Sequence, residues 1–129
     1  MPQFDFIIID DNEIDIFIAR KMILNKFPDA NVLSFLKATE AYEYTKAAQN
    51  LAKKAIMFVD INMPLMDGFE FMELFEKLPA GIRNNFIPCF LTSSVNESDK
   101  AIAKTFSTSV GYINKPLTPV LIENLLNNL

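Results

Sequence analysis

Phe6-Ile7-Ile8-Ile9-Asp10-Asp11, near the start of the chain, and Ile56-Met57-Phe58-Val59-Asp60, some fifty residues on, have the same design. Each is a short, unbroken apolar run that breaks into carboxylates at its far end. A strand half-exposed to water alternates apolar and polar residues, whereas a strand of a parallel sheet, covered on both faces, is apolar throughout. Ligands of open α/β sheets sit beyond the carboxyl ends of the strands, where the strand order reverses. Three acids at two such ends therefore predict a crowded negative crevice. Crowding of that kind is costly unless a cation or a proton relieves it. A hard divalent cation such as Mg2+, or Mn2+, matches an all-oxygen donor set.

Outward from these two runs, strand-like and helix-like segments alternate five times. Strands are expected at about 4–10, 31–36, 56–61, 87–93 and 110–113. Helical spacing follows in Ile14, Phe17, Ile18 and Met22, in Phe69, Met72, Leu74 and Phe75, and in Leu121, Ile122, Leu125, Leu126 and Leu129. Asn12 is a candidate cap of the first helix. Thr118-Pro119 is a cap followed by a proline in the first helical position, and Asn96 or Ser98 is expected to start the fourth helix. Repeated β-α units give a parallel sheet with right-handed crossovers and helices on both sides. The fold class is therefore α/β: a flavodoxin-like, doubly wound five-stranded parallel sheet in the order 2-1-3-4-5, with five helices. In that order the switch point lies between strands 1 and 3, the two that end in Asp10/Asp11 and Asp60.

Composition narrows the functions. The 129 residues carry a net charge of −4 and no basic run, which gives little support to direct nucleic-acid binding. There is no histidine, so no histidine triad, histidine metal site or phosphohistidine exists within the chain. The single cysteine, Cys89, lies in the apolar run Ile87-Pro88-Cys89-Phe90-Leu91 and reads as a small core hydrophobe in a reducing compartment. No apolar stretch approaches the ~18 residues of a membrane span, and the N-terminus lacks a secretory pattern. The expectation is one cytoplasmic domain over residues 1–129, with no output domain, linker or repeat and no membrane association.

Further polar signals stand at the remaining strand ends. Strand 3 continues as Asp60-Ile61-Asn62-Met63-Pro64-Leu65-Met66-Asp67-Gly68, a loop with Pro and Gly at turn positions. Strand 4 runs into Leu91-Thr92-Ser93-Ser94, and strand 5 runs through Tyr112 into Asn114-Lys115-Pro116. A cation site, a carboxylate nucleophile, a hydroxyl and an ammonium around one point are the parts phosphoryl transfer requires. Taken one at a time, these residues have plainer readings. Asp10 and Asp11 suit a helix N-terminus, Thr92 a strand end, Lys115 a surface and Tyr112 a core. Ser93 and Ser94 read as local loop chemistry.

The ordered set Asp10-Asp11, Asp60-x-x-Met63-Pro64-x-x-Asp67-Gly68, Thr92-Ser93 and Tyr112-x-x-Lys115-Pro116 resembles response-regulator receiver domains of the single-domain chemotaxis type, over essentially the whole chain. The resemblance implies that Asp60 is the phosphoacceptor and that Asp11, Asp60 and the main-chain carbonyl of Asn62 hold Mg2+, with Asp10 assisting through water. It also implies that Lys115 pairs with the phosphoryl oxygens, that Thr92 donates its hydroxyl to them, and that Tyr112 turns inward when Thr92 moves. Lys115-Pro116 matches the family's cis peptide. The implied function is a phosphorylation-controlled module of a two-component system or phosphorelay, which catalyses only its own phosphorylation and dephosphorylation and is not a multiple-turnover enzyme. The implied partners are a histidine kinase or histidine phosphotransfer protein. A downstream protein would dock on the fourth helix, fifth strand and fifth helix (98–104, 108–112 and 119–128). Two other classes fit less well. A dehalogenase-type phosphohydrolase wants a second acid two residues after the nucleophile, where this chain has Asn62. A flavodoxin-like FMN binder wants a Ser/Thr/Gly-rich loop after strand 1, where Asp10-Asp11-Asn12 would repel the phosphate.

Overall fold

The computed structural model describes residues 3–49 and 51–129, so Met1 and Pro2, part of the N-terminal reading, lie outside the described residues. Five strands, β1 (Asp5–Ile9), β2 (Val32–Phe35), β3 (Ala55–Val59), β4 (Phe86–Thr92) and β5 (Tyr112–Asn114), form one parallel sheet in the order β2-β1-β3-β4-β5. The helices are α1 (Glu13–Lys26), α2 (Ala38–Ala47), α3 (Gly68–Glu76), α4 (Ala80–Arg83), α5 (Glu97–Ala103) and α6 (Pro119–Asn127). Five of them are the expected ones, and the sixth, α4, is a single turn between α3 and β4. The family's fourth and fifth helices are therefore α5 and α6 here.

Strand alternation divides the core between the two sheet faces. Phe6, Ile8, Ile56, Phe58, Cys89 and Leu91 pack against α1 and α6, while Ile7, Ile9, Met57, Val59 and Phe90 pack against α2, α3 and α5. Every residue of β3 is buried, as an unbroken apolar central strand should be. Burial pushes the Cys89 thiol up to about 12, which suits an inert core residue.

The helix starts follow the sequence. The Asn12 side chain accepts from the backbone N–H groups of Ile14 and Asp15, Asn96 accepts from Ser98, and Thr118 accepts from Leu121 ahead of Pro119. Asp67 and Glu70 form a reciprocal capping box on α3. Two sequence expectations shift. The buried stripe of α1 is Ile16, Ala19 and Ile23, whereas Ile14 and Phe17, expected on the apolar face, are 70% and 63% exposed. Apolar residues surround this helix, so its period allows two phases, and contact with the sheet selects one. Strand β5 starts two residues later than expected, although the Val110 N–H already donates to Pro88 O and Gly111 O accepts from Phe90. No helix among the described residues is long and apolar enough to cross a membrane.

Candidate functional site

The parallel register of β1 and β3 pairs Ile9 with Val59, which sets Asp10 and Asp60 side by side just beyond the strand ends. The Asp60 N–H donates to Ile9 O at 2.9 Å and the Asp10 N–H to Phe35 O at 3.0 Å, so both backbones are held by the sheet. Asp10 is 2% and Asp60 5% exposed, whereas Asp11 points to solvent. One carboxylate oxygen from each of Asp10, Asp11 and Asp60 lies within 4.8 Å of the others. Hard anionic oxygens this close form a donor set of the type that holds Mg2+ or Mn2+, and the acidic pocket can bind a metal. The residues present therefore fit such a cation.

Each buried carboxylate is also partnered within the protein. Asp10 Oδ1 accepts the Asn12 N–H at 2.9 Å, and Asp60 Oδ1 accepts the Ile61 N–H at 2.8 Å. Lys115 follows β5, anchored by its own N–H to Thr92 O at 2.9 Å, across a cis peptide to Pro116. Its Nζ lies 2.6 Å from Asp10 Oδ2, 2.8 Å from Asp15 Oδ2 and 3.2 Å from Asp60 Oδ2. Burial alone would pull the ammonium's pKa down. Hydrogen bonds to Asp10 and Asp15, with the charges of Asp60 and Asp10, outweigh it, and the pKa is raised. Burial also raises the Asp10 carboxyl, against the lowering effect of Lys115 and the Asn12 N–H and with some help from the Asp60 charge.

Gly68 explains the loop that follows. Its N–H donates to Ile61 O at 2.8 Å, and a Cβ there would stand 2.1 Å from Asp60 O. Backbone packs directly on backbone at this point, leaving no room for a side chain. Gly68 is thus required by close approach, while the left-handed residue of the loop is Leu65 (φ 70°), 85% exposed. Ile61 and Met63 are buried and pin the loop, with Asn62 exposed between them.

Thr92, at the end of β4, is fully buried, and its Oγ1 accepts the Ser94 N–H at 3.2 Å. Tyr112 is half-buried, its ring 6.4 Å from Phe90, and its hydroxyl donates to Ser94 O at 2.9 Å. The same oxygen accepts from Asn114 Nδ2 at 2.8 Å, and Ser94 Oγ donates to Asp99 at 2.7 Å.

The fold thus brings Asp10, Asp11, Asp60 and Lys115 together, with Thr92 and Tyr112 joined one strand away through Ser94. Asp15 escaped the sequence analysis, and Ser94 figures in it only as local loop chemistry. Asp15 carries a weak signal, an acid one helical turn after Asp11. Ser94 carries none, because its part is played largely by a main-chain oxygen.

The family model for the response regulator receiver domain matches residues 6–127. A response regulator receiver protein from Dyadobacter fermentans superposes with a TM-score of 0.87 at 28% identity, covering 96% of this chain and 95% of that one. A two-component response regulator from Cytophaga hutchinsonii gives 0.84 at 28% identity, with 98% and 96% covered. The stress response regulator protein 1 of Meyerozyma guilliermondii is 28% identical across 98% of this chain. The chain spans less than two thirds of the length of the curated relatives it matches, 58% of that one. With the sheet order, the acidic pocket and a family match over nearly its whole length in agreement, this chain belongs to the response regulator receiver domains of two-component signalling.

Proposed function

We propose that this receiver domain takes a phosphoryl group onto Asp60 from a partner's phosphohistidine and thereby switches a protein-binding surface. The observation that carries the reading is the Asp60 carboxylate itself. It is nearly buried at the end of β3, crowded by two further carboxylates and faced by the Lys115 ammonium 3.2 Å away. Asp60 is the nucleophile: its carboxylate oxygen bonds to phosphorus as the bond to the donor imidazole breaks, and the imidazole leaves with the electron pair. Asp11, Asp60 and the main-chain carbonyl of Asn62, with Asp10 through water, would hold a divalent cation that neutralises charge on the transferring group. Lys115 pairs with the phosphoryl oxygens as a compact point charge, and Thr92 turns its hydroxyl toward them.

Movement of Thr92 takes with it the acceptor of the Ser94 N–H, and Ser94 O is where the Tyr112 hydroxyl is bonded. Tyr112 then repacks with the β4–α5 loop, a two-state change driven by local charge. The output surface is α5, β5 and α6, and the upstream partner is a histidine kinase or histidine phosphotransfer protein in the cytoplasm. The domain processes only its own phosphoryl group.

Intact-mass analysis after incubation with acetyl phosphate tests this reading. One labile phosphate is expected, dependent on Mg2+, suppressed by EDTA and absent from Asp60→Asn. Phosphate persisting on the Asp60→Asn protein would remove the assignment.

A further inference from the structure

The Lys115 ammonium touches three carboxylates, and one of them, Asp15, belongs to neither the phosphoacceptor nor the acid pair. Asp15 stands in the first turn of α1, where the Asn12 cap accepts its N–H at 3.2 Å. Its Oδ2 takes a hydrogen bond from Lys115 Nζ at 2.8 Å, shorter than the 3.2 Å bond from that nitrogen to Asp60. Lys115 is Asp15's salt-bridge partner, and no other is present for it among the described residues. Beside the pair is a cavity of 230 Å³ lined by Asp15, Ile18, Ala19, Leu91, Ser93 and Lys115 itself, which leaves open space on the Asp15 side of the ammonium.

An ammonium has three N–H donors, and each suits one acceptor. A divalent cation among Asp10, Asp11 and Asp60 draws on two of the same carboxylates that Lys115 uses, and the two positive charges repel. Asp15, outside that acid cluster and partly exposed, offers the ammonium a berth at lower cost. Once a phosphoryl group stands on Asp60 the direction reverses, because every bond Lys115 keeps to Asp15 is one withheld from the phosphoryl oxygens.

We infer that Asp15 is a positioning residue that draws Lys115 toward α1, favouring cation entry and holding the ammonium back from the phosphoryl group. The inference rests on the phosphoacceptor reading of Asp60 and predicts effects of opposite sign on two ligands. In Asp15→Asn, which keeps the side chain's shape, Mg2+ should bind more weakly, while beryllofluoride at saturating Mg2+ should bind more tightly. Each change is about twofold to fivefold, the size that one partly exposed ion pair supports. In the Lys115→Met background the tightening of beryllofluoride by Asp15→Asn should vanish. In cation-free protein the Lys115 ammonium resonance should shift in Asp15→Asn, with the melting temperature reporting that the variant is folded.

Affinities for Mg2+ and beryllofluoride that fall together in Asp15→Asn, or a tightening that survives in Lys115→Met, would overturn the inference. So would an unaltered beryllofluoride affinity in Asp15→Asn while the wild-type protein binds it, and that result leaves the phosphoacceptor reading intact. A wild-type protein that binds Mg2+ but no beryllofluoride overturns both.

Discussion

The two faces of the sheet are filled with aliphatic and aromatic side chains in different proportions. Against α1 and α6 the filling is mainly branched and aliphatic: Ile8, Ile16, Ile23, Ile56, Leu117 and Ile122 around Phe6 and Phe58. Against α2, α3 and α5 the aliphatic strand residues Ile7, Ile9, Met57 and Val59 are joined by more rings, with Phe71, Phe75, Phe86, Phe90 and Phe106 buried and Phe69 and Tyr112 packed on them. Phe69, Phe90, Phe106 and Tyr112 form a chain of ring contacts at 5.6–6.4 Å between centroids, in stacked, tilted and edge-on arrangements. Isoleucines have stiff χ1 angles and interlock in one way. Flat rings reorient with little change of volume and hold one another at several angles. The first face is suited to fixing the site and the second to repacking, and the proposed switch residue Tyr112 lies on the second.

Truncation of the aliphatic face should have the largest effect on stability and a small one on switching. Phe58→Ala, at a fully buried position of the central strand, should cost about 3–5 kcal/mol in urea unfolding. Where the variant is still folded, its Tyr112 ring resonances should respond to beryllofluoride as in the wild type. On the aromatic face, Phe106→Leu exchanges a ring for an aliphatic of similar bulk and should cost about 1.5 kcal/mol or less. It removes contacts to Phe69 and to Phe90, the ring beside Tyr112, and should change the Tyr112 response more than Phe58→Ala does. Equal disturbance of Tyr112 by the two substitutions would erase the division.

Tyr112→Phe sharpens the contrast without touching ring packing. It deletes the hydroxyl bonded to Ser94 O and should cost about 1 kcal/mol. Because Asn114 Nδ2 still serves that oxygen, the loss should appear mainly as faster amide exchange in the β4–α5 loop. The smallest effect belongs to Thr118→Ala, which removes the cap of α6 on the aliphatic side, at about 0.5–1 kcal/mol. The Tyr112 resonances should not notice it.

Much of this architecture was legible in the sequence because it is written locally. The runs at 6–9 and 56–59 are apolar without alternation, and both proved to be strands buried on two faces. Asn12, Asn96 and Thr118 cap helices since a short oxygen-bearing side chain can reach an N–H two or three residues on. The phase of α1 was not legible: with Ile14, Phe17, Ile18 and Ile23 spread round the helix, periodicity cannot say which ones the sheet will cover. Gly68 was read as a turn glycine, but its reason is the Asp60 carbonyl 2.1 Å from where a Cβ would be, a contact that exists only once α3 docks.

By itself the sequence determined the element types, their order, the parallel sheet that β-α repetition demands, and the presence of acids, a hydroxyl and a lysine at strand ends. Tertiary structure alone decided which of these groups meet. Lys115 reaches Asp60 across 55 positions of chain and Asp15 across 100. It does so because sheet register, set by burying both faces at once, delivers the ends of β1, β3 and β5 to one crevice with the start of α1 beside them. A charge's neighbours are a property of that register, and no window of sequence short enough to read by pattern contains it.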